Sequence, residues 1–176
     1  YCGGTPVFAD IKPDTYNIDP ASVRRLITPK TKAVVAVDFT GQATELNELR
    51  DICKEHNLIL IEDAAHSIGT KYAGQPVGSI ADLTTFSFHP VKTVTAGEGG
   101  AVLTNNEAYY RRLMRLRTHG ITRNQEEMVH PTDAGWYNEQ ITLGYNYRMT
   151  DIQAALLISQ LNKLSLFSKR RKEIVA

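Results

Sequence analysis

Asp63 and Lys92 stand 29 residues apart, and each follows an apolar run. The run Leu58-Ile-Leu-Ile-Glu-Asp63 ends in two acids, which places Asp63 at the carboxyl end of a central strand. That edge is where open α/β sheets bind ligands. A carboxylate buried there wants a cationic partner, because an unpaired buried charge is costly. Asp63 would serve equally well as the N-cap of the turn that follows. Lys92 comes after Phe86-Ser-Phe-His-Pro-Val91, so the spacing places it in a turn beyond a second strand end. A lysine held among Phe86, Phe88, Pro90 and Val91 is partly desolvated. Desolvation lowers an amine's pKa and frees its lone pair for Schiff-base chemistry. The competing reading is a solvated loop lysine. His66 closes the Glu-Asp-Ala-Ala-His motif, and it reads either as a site residue or as a structural hydrogen-bonder.

The pair is more specific than either residue. A lysine for an aldehyde and a carboxylate for a pyridine nitrogen are the two needs of pyridoxal 5′-phosphate, and Ser87 between them offers a hydroxyl to a phosphate. The Gly97-Glu-Gly-Gly100 stretch after Lys92 is no P-loop, because no G-x-x-x-x-G-K-[ST] occurs; a tight turn also accounts for it. No G-x-G-x-x-G follows the first strand, which leaves a plain dinucleotide-binding module without support.

Short β-branched runs at 6–11, 33–39, 58–62, 83–88 and 100–104 read as strands. The second and third are almost continuously apolar, the pattern of strands covered on both faces. Helical patterns run from Asp19-Pro20 toward Leu26, from Leu46 to His56, from Asn106 to Arg117, and from Thr150 to about Ile174. Such alternation predicts α/β layers around a mostly parallel sheet. Residues 118–145 break the alternation and read as a long polar excursion carrying Trp136 and Tyr137.

The chain has 176 residues, 42% hydrophobic and 22% charged, with a net charge of +1. This is an ordinary folded composition and a length that suggests one domain. The charge balance gives no electrostatic case for nucleic acid or a membrane surface, and no apolar run reaches the roughly 18 residues of a membrane helix. Cys2 and Cys53 form neither a metal spacing nor a disulfide framework, so no metal and a reducing, cytoplasmic setting are expected. The chain opens Tyr-Cys-Gly-Gly without Met and stops within a helical pattern, which suggests a fragment of a longer protein.

The motifs Gly4-Thr-Pro-Val-Phe-Ala-Asp10, Gly41-Gln42, Glu62-Asp-Ala-Ala-His66, Val77-Gly78, Phe86-Ser-Phe-His89, Lys92, Gly97-Glu-Gly-Gly100, His119-Gly120 and Gly144-Tyr-Asn-Tyr-Arg148 occur in this order. Through them the chain resembles the DegT/DnrJ/StrS aminotransferases, the sugar-nucleotide branch of fold-type I pyridoxal-phosphate enzymes. Trp136-Tyr137, Gln140 and the run Leu143 to Ala155 resemble the members that aminate a UDP-linked 4-keto-6-deoxy-hexosamine on the route to pseudaminic acid.

The resemblance implies a fold-type I large domain with a mostly parallel central sheet flanked by helices. Residues 1–176 would be its middle part, with the first phosphate-binding segment and the small C-terminal domain absent. It implies that Lys92 carries the cofactor and moves protons, and that Asp63 holds the pyridinium nitrogen. Ser87 would bind the phosphate, Gln42 would contact the ring's O3′ face, and His66 would lie beside the ring. Asn146 would reach the cofactor phosphate of a neighbouring subunit in a homodimer with shared sites, and Arg148 would assist there or at the substrate. L-Glutamate would be the amino donor and a UDP-sugar the acceptor. From the residues alone, Asn146 and Arg148 read first as caps of the helix after Met149, and Trp136 reads also as a side chain packed on the sheet. Other nucleotide-linked keto sugars, or a non-catalytic ligand-binding relative, remain as alternatives. A keto-sugar dehydratase of the same fold carries His at the Schiff-base position, where this chain has Lys92.

Overall fold

The computed structural model describes residues 2–176. In chain order the elements are α1 (Pro20–Leu26), β1 (Ala33–Val37), a 3₁₀ turn (Phe39–Gly41), α2 (Leu46–Glu55), β2 (Ile59–Asp63), β3 (Lys71–Tyr72), β4 (Gln75–Pro76), β5 (Leu83–Ser87) and β6 (Gly100–Leu103). They continue with α3 (Glu107–Leu116), β7 (Ile121–Thr122), a 3₁₀ turn (Gln125–Glu127), β8 (Glu139–Gln140), α4 (Asp151–Leu161) and α5 (Leu164–Val175). The chain divides into two units. One runs to Thr104 and takes up Asp151–Ala176; the other is Asn105–Thr150.

The first unit is built on a four-stranded sheet ordered β1-β2-β5-β6. β1, β2 and β5 are parallel, and β6 returns antiparallel to β5. Residue chemistry accounts for the helices on it. Asp19 caps α1 through both carboxylate oxygens, which accept from the N–H groups of Ala21 and Ser22, and Pro20 fills the first turn, where its missing N–H costs nothing. In α2, Leu46, Leu49, Ile52 and Cys53 form one buried stripe. Leu49, Ile52 and Cys53 meet Val23 of α1 and the inward side chains Val34, Ala36 and Leu60 of the sheet, closing the core. Burial, with the Asp82 charge adding to it, pushes the Cys53 thiol up to about 11. Cys53 therefore stays a protonated packing residue rather than a nucleophile.

The structure departs from the sequence pattern in four places. The run 6–11 forms no strand; its one β contact is an isolated bridge from Ile11 to Ile18, and Val7 and Phe8 are exposed. β1 is covered on one face only among the described residues, because its other face leaves Val35 54% and Val37 46% exposed. An apolar run reports what each residue tolerates, not whether a layer lies on both sides of it. The long C-terminal helix is two helices. Near Asn162 the ladder tightens, Lys163 donating to Gln160 at 3.0 Å, before α5 restarts with Phe167 donating to Lys163. No Gly or Pro signals the break.

The fourth departure lies in the second unit. The excursion 118–145 holds its own two-stranded ladder of β7 with β8 and a 3₁₀ turn capped by Asn124. Gly120 and Gly144 make this possible. A Cβ on either would collide with backbone of the segment crossing it, Thr142 for Gly120 and Gly120 itself for Gly144.

Candidate active site

The carboxyl ends of β1, β2 and β5 lie on one edge of the sheet, because the three strands are parallel. Asp63 is the last rung of β2 and pairs in register with Val37 of β1 and Thr85 of β5. The chain leaving β1 turns at Phe39–Gly41 and presents Gln42. The chain leaving β2 turns through Ala64-Ala65 to His66, and the chain leaving β5 at Ser87 turns through His89 to Lys92. Topology thus brings Gln42, Asp63, His66, Ser87 and Lys92 to one edge, out of three separate stretches of sequence.

Each turn is held from within. Asn17 clamps the Gln42 turn, its Nδ2 donating to the carbonyls of Gln42 (3.0 Å) and Ala43 (3.2 Å) and its Oδ1 accepting from Phe39 N–H (2.9 Å). Gly41 adopts φ +92°, and a Cβ there would sit 2.8 Å from the His66 carbonyl oxygen. Only glycine allows the Gln42 and His66 turns to approach this closely. Thr70 fastens the same contact by donating to the Gly41 carbonyl at 3.0 Å.

Asp63 is half-buried. Its Oδ1 accepts from the Ala65 N–H at 3.1 Å, so it does anchor the following turn. Its Oδ2 has no protein donor among the described residues and is open to a further N–H. Capping and ligand binding are therefore compatible uses of one carboxylate. Lys92 is half-buried and makes no ion pair among the described residues; its backbone N–H donates to the His89 carbonyl at 3.0 Å. Its apolar surroundings are thinner than the sequence suggests. Phe88 is buried, but Pro90 is exposed and Val91 is 77% exposed. The Ser87 hydroxyl accepts only a long contact from His89 N–H, 3.4 Å, which leaves it available as a donor.

The second unit carries Trp136, Tyr137, Asn146 and Arg148. Trp136 is 80% exposed and meets Tyr137 edge to face, centroids 6.0 Å apart. Asn146 forms an isolated antiparallel bridge with Thr118, and Tyr145 and Tyr147 on either side of it stack at 4.8 Å. α4 begins at Asp151, which leaves Asn146 and Arg148 outside its first turn and removes the capping explanation for them.

A family model described as the DegT/DnrJ/EryC1/StrS aminotransferase family matches residues 1–176. The chain belongs to that family. Among its relatives, the UDP-4-amino-4,6-dideoxy-N-acetyl-β-L-altrosamine transaminase of Campylobacter jejuni is 42% identical over 177 residues, covering 99% of this chain and 44% of the relative. Helicobacter pylori PseC, an aminotransferase involved in the biosynthesis of pseudoaminic acid, superposes with a TM-score of 0.85 at 36% identity, covering 93% of this chain and 42% of that one. The PLP form of the sugar aminotransferase Spr1654 of Streptococcus pneumoniae superposes with a TM-score of 0.83 at 35% identity over 98% of this chain and 47% of that one. The likeness extends across the whole chain, and the fold is that of fold-type I aminotransferases. The chain spans under half the length of these DegT-family proteins.

Asn17 carries no motif signal in the sequence, yet it ties down the turn that presents Gln42. Replacing it, Asn17→Ala, strands buried donors and acceptors, which costs about 1–3 kcal/mol for such a group. Denaturant unfolding is expected to show that loss, with faster amide exchange at Phe39. Unchanged exchange at Phe39 would mean the turn holds itself.

Proposed function

We propose that the protein is a pyridoxal 5′-phosphate-dependent sugar aminotransferase that uses L-glutamate to aminate a UDP-linked 4-keto-6-deoxy-hexosamine on the route to pseudaminic acid. The observation carrying this reading is the convergence of Gln42, Asp63, His66, Ser87 and Lys92 on one sheet edge in a chain of this family. The printed functions of the Campylobacter relative and of PseC support the choice of sugar. In this reading the chain is the middle part of the large domain. It works in the reducing cytoplasm, where the thiols Cys2 and Cys53 stay free.

The donor set fits the cofactor: a strand-end carboxylate with one open oxygen, a lysine without a competing carboxylate among the described residues, and a hydroxyl at the next strand end. Pyridoxal phosphate, when bound, supplies an electron-withdrawing ring and an aldehyde that carries an amino group between donor and acceptor. Asp63 keeps a proton on the ring nitrogen. Lys92 Nζ is the covalent anchor and, once released, the base that moves the proton at the amino-bearing carbon. Ser87 donates to the phosphate, while Gln42 and His66 flank the ring. Asn146 serves the phosphate of a partner subunit's cofactor in a homodimer. The exposed pair Trp136 and Tyr137, with Arg148, reads the nucleotide sugar, because aromatic faces and a cation suit a uracil ring and a diphosphate.

The test is turnover by the full-length protein loaded with cofactor, L-glutamate and the UDP-linked keto sugar. Lys92→Ala should lower the rate by roughly 10²–10⁴-fold or more. Trp136→Ala should raise KM for the sugar and leave the glutamate half-reaction unchanged. Equal impairment of both half-reactions would remove Trp136 from substrate recognition. Mixing inactive Lys92→Ala chains with inactive Asn146→Ala chains should restore activity, since one site of each mixed dimer then draws both intact residues. No recovery after verified subunit exchange would mean that each site comes from one chain.

A further inference from the structure

Two carboxyls outside the machinery described above meet just behind the site edge. Asp38 follows β1 directly and Glu62 is the residue before Asp63; both are 0% exposed. Asp38 uses both oxygens as acceptors, Oδ1 from the Thr44 backbone N–H at 2.9 Å and Oδ2 from the Ser67 hydroxyl at 2.6 Å. Glu62 Oε2 accepts from the Thr84 hydroxyl at 2.8 Å and the Gly78 N–H at 3.2 Å. Glu62 Oε1 is buried and receives no donor. In the parallel register Ala36 pairs with Glu62 and Asp38 is the next residue along on that same buried face, so the two carboxyls are neighbours on the sheet and each acts electrostatically on the other.

Among the described residues neither carboxyl enters an ion pair. The groups that act on the pair are Thr44 and Ser67 on Asp38, Thr84 and Gly78 on Glu62, and each carboxyl on the other. Two buried negative charges without a counter-ion are too costly to persist, and neighbouring carboxyls resolve this by holding one proton between them. The donors decide its place. Both Asp38 oxygens already accept, as a carboxylate requires, whereas Glu62 Oε1 lacks a hydrogen. Burial first, then the Asp38 charge, pushes the Glu62 carboxyl up to about 7, against the opposing hydrogen bond from Thr84.

We propose that Glu62 is a neutral carboxylic acid whose Oε1–H donates to the Asp38 carboxylate, and that this proton-bridged pair positions the turns carrying Gln42, Asp63 and His66. Asp38 reaches the far end of the Gln42 turn through Thr44 and the His66 turn through Ser67, while Glu62 is bonded in sequence to Asp63. One proton joins the end of β1 to the end of β2. Both are positioning residues, and the inference stands whether or not the proposed cofactor binds.

Glu62 titrates higher in the folded chain than its ordinary 4.5, so its contribution is full below pH 4.5 and is lost as pH rises through about 7. The test uses the full-length protein. With glutamate carboxyl carbons ¹³C-labelled, one resonance should titrate near 7, and it should be absent in Glu62→Gln. Between pH 5 and 8 the wild-type folding equilibrium constant should fall by roughly tenfold or more beyond the change in Glu62→Gln. Thr44 amide protection should survive in Glu62→Gln, whose amide N–H replaces the acid donor, and be lost in Glu62→Ala. All glutamates titrating in the ordinary range, equal pH slopes in wild type and Glu62→Gln, or Thr44 protection lost equally in both variants would overturn the proposal. A Glu62→Gln chain that cannot fold would count against it too, and the wild-type titration decides independently of any variant.

Discussion

β2 is paired in parallel on both sides, to β1 and to β5, up to and including Asp63. The rest of the site depends on this constraint. Parallel pairing aligns the carboxyl ends of three strands, so the turns leaving them open on the same edge. Asp63 is the last residue of β2, and its backbone is held by pairing with Val37 on one side and Thr85 on the other. Residues beyond each strand end inherit that placement through short, internally bonded turns.

The turns are built for close approach. Gly41 lets the Gln42 turn lie against the His66 carbonyl, Asn17 satisfies three backbone groups of the first turn, and Asp38 ties Thr44 to Ser67. These contacts are buried and polar, the kind that costs most when one partner is removed. Catalytic groups on loops gain their precision from such supports. Here they come from residues that touch no ligand in the proposed mechanism.

The strand end at Asp63 and the turn carrying Lys92 were legible because an apolar run that gives way to charged or turn-forming residues marks the end of a strand, even though Glu62, the first charge after the run, is fully buried. Asp63 closes β2, and Lys92 lies in the turn beyond the end of β5. The capped helix α1 and the striped helix α2 were legible for similarly local reasons. The bareness of β1's outer face among the described residues was not, since Val35 and Val37 look the same in sequence whether covered or bare. The division of α4 from α5 left no trace either, because Asn162 and Lys163 are common in unbroken helices. Nor did the Asp38–Glu62 pair announce itself. It is made of residues distant in sequence and joined by sheet register, so only Glu62's place beside Asp63 hinted at it.

In the proposed mechanism Lys92, at the edge Asp63 defines, is the cofactor's covalent anchor. The direct measurement is borohydride reduction of the full-length protein with pyridoxal 5′-phosphate, followed by digestion and mass mapping of the labelled peptide. A reduced adduct is expected on the peptide containing Lys92, and none in Lys92→Ala. An adduct on another lysine, or undiminished labelling in that variant, would contradict it.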